Sequence, residues 1–240
     1  DEWQDVWPGF KEHVRGEQRE RLKAHGGTLW RFDLRFRWAT GVTSLEFDDR
    51  IITKASTGPT RQGYFLLMRL VDLWFSMDLA FDMYAGLLVP GRVEHPSILE
   101  TVRRDAPKRL RALRAVEQVA LQAFNKRFKL RDKRERFVGY LGDLAEAAQG
   151  TLAGDWTGEA AGLVERRRKL EGHHLLAVAQ AIRNRYVHGG ETASTKTFPA
   201  QEKAPLLRML TGTAQVACLA LATAAAGERL KQLRRQVGIR

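Results

Sequence analysis

The sequence predicts a mainly α-helical protein, an up-and-down bundle of about five helices with a small N-terminal β element. Three observations predict it. From Tyr64 onward, apolar residues recur at helical spacing in stretches separated by proline, glycine or short polar runs. A clear two-residue alternation appears only near the N-terminus, between Trp30 and Trp38. No internal repeat is evident, and after residue 60 no linker is long enough to force a further domain split.

The elements come in this order. The amphipathic stretch FKEHVRGEQRERLKAHGG ends in a glycine pair suited to stopping a helix. In LWRFDLRFRW, Trp30, Phe32, Leu34, Phe36 and Trp38 alternate with Arg31, Asp33, Arg35 and Arg37, the pattern of a half-buried strand. The turn-like ATG and then VTSLEFDDRII complete an expected hairpin over residues 28 to 53. Alternation places rings on one face and charges on the other, so a sheet packed by its aromatic side is favoured over a base-stacking platform. The loop TGPTRQG divides an N-terminal segment, 1–58, from the helical bundle, 59–240.

Within the bundle, YFLLMRLVDLWFSMDLAFDMYAGLLV is apolar nearly all round, as a central helix should be. A long basic helix is expected from Ser97 with a kink at Pro107. Further helices are expected over Lys133 to Gln149, Gly158 to Val187 and Ala200 to Gln236. The last contains a charge-free run, Met209 to Gly227, whose alanines, threonines, glycines and glutamine suit a buried bundle helix better than a membrane span.

Charge narrows the function. The 44% hydrophobic and 28% charged content exclude a disordered chain, and a net charge of +12 predicts attraction to polyanions. Between Arg103 and Arg136 stand 13 basic and four acidic residues. That segment is either a solvated helix face or a phosphate-tracking surface. The candidate contacts are Arg103, Arg104, Lys108, Arg109, Arg111, Arg127, Lys129 and Arg131, joined by Arg166, Arg167 and Arg185 on the motif helix. The single cysteine, Cys218, excludes an intrachain disulfide and favours a reducing, cytoplasmic location. Adjacent His173 and His174 point to different sides of a helix, and no phosphate-binding glycine loop, serine elbow or zinc-ligand set is present, so neither metal nor cofactor is expected.

The sharpest feature is IRNRYVHGG, residues 182 to 190. Leu175, Ala179, Ile182 and Tyr186 form a core stripe at spacings of four, three and four. Asn184 and His188 are an i, i+4 pair on a different face, about 200° and 240° round the helix from Ile182. The glycine pair places His188 at the helix end, where the negative pole of the dipole favours a cation. A second copy related by two-fold symmetry would cover this face and double the site. Asp78 and Asp82 share one face of the apolar helix, as an exposed edge or as a buried partner for Arg183 or another cation.

Arg183 followed directly by Asn184, with His188 five positions after the arginine, resembles the active-site signature of the HEPN superfamily (higher eukaryotes and prokaryotes nucleotide-binding domain). Its members are helical bundles, often ribonucleases. Arg-x4-His alone arises about 0.7 times from 29 Arg and 6 His in 240 residues (29 × 6/240), and Arg168 with His173 is a second instance. Asparagine discriminates, since only Asn125 and Asn184 occur. The resemblance covers residues 62 to 236 as architecture and 183 to 188 as motif. One branch carries a modified tyrosine two residues beyond its histidine, where this chain has Gly190.

The resemblance implies metal-independent endoribonuclease activity by a homodimer with its motif helices at the interface. The ribose 2′-hydroxyl would attack the adjacent phosphorus and leave a 2′,3′-cyclic phosphate and a 5′-hydroxyl. Arg183, Asn184 and His188 would be catalytic: His188 as general acid or base, Arg183 holding non-bridging oxygens, and Asn184 orienting His188 or binding phosphate. RNA is the implied substrate, a toxin or defence effector the implied role, and an antitoxin or other regulator a possible partner. No membrane partner is expected. The alternatives are a non-catalytic basic bundle that binds nucleic acid and an interaction bundle that binds none.

Overall fold

The computed structural model describes residues 17–43, 58–88, 97–105, 118–119, 122–124, 126–195 and 197–237. Among these, seven helices have defined bounds: α1 (Glu17–Gly41), α2 (Pro59–Leu88), α3 (Ile98–Asp105), α4 (Arg131–Ala147), α5 (Leu152–Glu165), α6 (Gly172–Val187) and α7 (Ala200–Val237). The fold is mainly α, and no strand occurs among the described residues.

The expected β element is therefore corrected where it can be seen. Residues 28 to 41 continue α1 through the glycine pair. The physical reason is a second pattern hidden in the alternation. Leu29, Phe32, Phe36 and Ala39 lie three, four and three apart and form the face that packs into the core, with Phe32 stacked on Phe36 at 5.6 Å. Burying Phe32 alone contributes about 1.5–3 kcal/mol, enough to outweigh the two glycines in the helix. The expected second strand lies largely outside the described residues. Phe32 and Ala39 join the same core as α2, so α1 is tied to the chain beyond residue 58.

Pro59 begins α2 at a position where its missing N–H costs nothing. Leu66, Leu70, Leu73, Met77 and Phe81 then bury its inner face along α7, whose Leu207, Leu210, Ala214, Ala217 and Leu221 meet it. Cys218 sits in that seam, its thiol donating to the Leu73 carbonyl at 3.2 Å. Burial pushes the thiol far above the ordinary cysteine range, so it packs and does not react. By length and composition α7, over Ala200–Gln232, is apolar enough to cross a membrane, and half of its most apolar 18-residue window is buried inside the fold.

Ser97 caps α3 as the sequence indicates: its hydroxyl accepts from the Leu99 N–H at 3.2 Å, and Glu100 reaches back to the Ser97 N–H at 3.4 Å. The helix expected from Gly158 to Val187 is two helices. After Glu165 the chain takes a left-handed step at Arg167, φ 56°, and α6 starts at Gly172. His173 and His174 are built into this start. The Glu171 N–H donates to His174 Nδ1 at 3.0 Å, and His173 packs edge-on against Trp156 at 4.7 Å. Burial, reinforced by the neighbouring His174 and Arg103, lowers His173 to about 4, which keeps it neutral near pH 7.

Candidate functional site

The motif occupies the last turn of α6 and its exit. Leu175, Ala179 and Ile182 are buried in the core, which fixes the roll of the helix and turns the following residues outward. Arg183, Asn184 and Tyr186 are half-buried, and His188 is exposed as the C-cap residue. The exit is tightly specified. The Gly189 N–H donates to the Tyr186 carbonyl at 3.0 Å and the Gly190 N–H to the Arg185 carbonyl at 2.8 Å, with Gly189 at φ 75°. This is the Schellman arrangement, and it needs the left-handed conformation that glycine adopts without strain.

The Arg183 guanidinium donates to Asn184 Oδ1 at 2.9 Å and stands over the Phe75 ring of α2 at 5.1 Å. Arg35 of α1 stands over the same ring at 5.4 Å. Two guanidinium groups thus converge on one partly exposed phenylalanine. Asp78, one helical turn along α2, is pushed up to about 6. Burial is the main cause, opposed by the charge of Arg183 and reinforced by Asp82. Of the two acids, Asp78 is half-buried beside the arginine and Asp82 is exposed. Among the described residues no hydrogen bond joins Arg183 to the His188 ring.

Behind the exit lies a cluster that sequence reasoning missed. Glu191 is buried, accepts from Lys203 Nζ and from the Tyr140 hydroxyl at 3.3 Å, and lies 3.9 Å from Arg185 Nε. Arg185 Nε also donates to the Gly190 carbonyl at 3.0 Å. Burial pulls Lys203 below the ordinary lysine range while Glu191 pulls it back up. A signal existed: Lys203 precedes Leu207, Leu210 and Ala214 at core spacing, so a cation there required a buried partner. Beyond it, Gly63 of α2 lies so close to Ala193 that an added Cβ would meet the alanine Cβ at 2.8 Å. The loop after the motif is thereby seated against α2.

The proposed phosphate contacts divide. Lys108, Arg109 and Arg111 lie outside the described residues. Arg104 is paired with Asp105 at 2.9 Å and Arg131 with Glu135 at 2.7 Å. Arg103 lies over Trp156 at 5.4 Å, Arg127 donates to the Gln201 carbonyl at 2.8 Å, and Arg185 holds the motif exit. Arg166 is exposed as the C-cap residue of α5, and Lys129 and Arg167 line a common cavity. A second cavity, of about 490 Å³, is lined by Lys126, Arg127 and Lys133.

The helical form of α1 also changes what its rings and charges can do. At about 100° per residue, Arg37, Trp30, Leu34, Trp38, Arg31 and Arg35 fall within roughly 160° of one another. Trp30 and Trp38 are 65% and 64% exposed, so rings and arginines share a solvent face, as a strand would not allow. Arg37 is paired with Asp33 at 2.8 Å, and Arg35 lies 3.9 Å from Asp72.

The chain matches no protein-family model, no curated protein and no solved structure, so the site stands on its geometry and its motif.

Proposed function

We propose that the chain is a metal-independent endoribonuclease with Arg183, Asn184 and His188 at its active site. The observation that carries this reading is the open motif face. Asn184 is half-buried and His188 exposed, neither sealed by the described helices, and Arg183 is held by Asn184 with its guanidinium on a partly exposed ring. His188 takes the 2′-hydroxyl proton, or returns one to the leaving oxygen, from a position solvent and substrate can reach. Arg183 neutralises the charge that gathers on the non-bridging oxygens as the 2′-oxygen attacks phosphorus. Asn184 fixes the guanidinium through its carbonyl and keeps its amide N–H groups for phosphate. Single-stranded RNA reaches the site across α1, stacking on Trp30 and Trp38 with Arg31 and Arg35 at the backbone.

A two-fold copy is part of this reading. Val187, inside the motif, is 49% exposed, and a partner would cover it and bring two sites together. A cytoplasmic toxin or defence effector with a restraining partner is the biological form that fits it.

One observation favours a second reading. Arg183 engages Phe75 and Asn184 with no hydrogen bond to His188 among the described residues, which suits a non-catalytic basic bundle in which Arg183 contacts phosphate. Incubation with single-stranded RNA in EDTA separates the two. The nuclease yields 2′,3′-cyclic phosphate and 5′-hydroxyl ends, and His188→Ala lowers the rate by about 10²–10⁴ while RNA retention survives. Retention without cleavage, falling steeply with salt, establishes the second reading.

A further inference from the structure

Arg167 is the one non-glycine residue with positive φ among the described residues. Its N–H bonds to the Val164 carbonyl at 3.1 Å and the Arg168 N–H to Leu163 at 2.8 Å, so it holds the left-handed place that glycine favours at a helix end. An L-residue is strained there. The arginine that occupies this place lines a cavity of about 330 Å³, the size of pockets that take small ligands.

Lys129, Arg134, Arg168 and Lys169 line the same cavity, and no carboxylate does among the described lining residues. None of the five cations makes an ion pair among the described residues. The nearest acids on α4 are engaged elsewhere, Asp132 with Arg136 and Glu135 with Arg131. The remaining wall is apolar: Phe124, Phe128 and Val164. Five cations around a space ~9 Å across exceed what a passing nucleic-acid strand supplies, at one charge per roughly 3.4 Å. A triphosphate, with about two charges on its terminal phosphate and one on each of the others, fills the difference in the same space.

We propose that this cavity binds a triphosphate group, its oxygens met by the five cations. The source is a free nucleoside triphosphate or the 5′ end of an RNA. The α6 helix, about 24 Å long, runs between this cavity and the motif. The inference does not depend on nuclease activity.

Calorimetry and ligand-induced Tm shifts at fixed ionic strength test it. The probes are tripolyphosphate, ATP, inorganic phosphate, sulfate and an oligoribonucleotide with either a 5′-triphosphate or a 5′-hydroxyl. Tripolyphosphate and ATP bind and raise the Tm, whereas phosphate and sulfate do not. Arg167→Gly gives opposite signs in two readouts: the unliganded Tm rises by ~2–4 °C as strain is relieved, while tripolyphosphate affinity falls at least tenfold. Arg168→Gln with Lys169→Gln, which leaves the turn's backbone alone, weakens tripolyphosphate to a similar degree. Binding of tripolyphosphate and the triphosphorylated oligonucleotide without ATP assigns the site to an RNA end. Equal binding of sulfate and tripolyphosphate, or affinity unchanged in these variants, overturns the proposal.

Discussion

The ends of α5 and α6 close with the same pair of backbone hydrogen bonds and differ in the residue at the left-handed step. After α6 that residue is Gly189, φ 75°, and after α5 it is Arg167, φ 56°. The first end is relaxed and the second strained. The relaxed end carries His188, whose ring the proposed reaction needs at one place. Its supports lie underneath: Glu191 with Lys203, and Arg185 on the Gly190 carbonyl. The strained end has no comparable clasp among the described residues and instead delivers a cation to a basic cavity. One turn geometry thus serves precision where glycine holds it and charge where arginine does.

The comparison breaks most severely at the clasp. Glu191→Gln leaves Lys203 buried without its counter-ion, and losing one partner of a buried pair costs about 3–5 kcal/mol. Urea denaturation should show that loss, and amide exchange should rise first in the 189–193 turn. A variant within ~1 kcal/mol of the parent would mean the pair contributes little to seating the motif. A smaller effect separates the turns. Gly189→Ala forces an L-residue to φ 75° and costs about 1–2 kcal/mol, whereas Arg167→Gly gains stability. Loss in both would show that Arg167 packs rather than strains.

Much of the helical framework is legible in the sequence because its apolar period is unambiguous. α2, α4 and α7 fall within a few residues of where spacing places them, and Ser97 starts α3 through its own hydroxyl. α1 is misread because Trp30, Phe32, Leu34, Phe36 and Trp38 satisfy a two-residue repeat, while Leu29, Phe32, Phe36 and Ala39 satisfy a helical one. Packing against α2 decides between them, and that is tertiary information. The break between α5 and α6 escapes because Arg166 to Lys169 are good helix formers and the step is taken by an arginine rather than a glycine. At the site, Arg183, Asn184 and His188 are legible as a local pattern. Asp78 is legible too, as a partner for Arg183, but Phe75 and Arg35 arrive from other helices, and Glu191 is recognisable only once Lys203 is seen to need it.

The smallest effect sharpens the role of Arg183. Asp78 is raised from the usual 3.8 to about 6, so the folded chain binds a proton there that the unfolded chain does not, between about pH 6 and 4. Its contribution to stability is therefore gained as pH falls through 6 and is complete below 3.8. Above pH 6 the carboxylate is charged and offsets Arg183; below it, the guanidinium acts alone. In a His188→Ala background, where cleavage is slowed at least about a hundredfold, affinity for a single-stranded oligoribonucleotide should rise as pH is lowered from 7 to 5. Asp78→Asn should raise it at pH 7 by up to about fivefold, the worth of a partly exposed charge pair, and flatten the profile across that range. An unchanged profile would show that RNA does not meet Arg183, and would move the binding surface away from the motif toward the basic cavities.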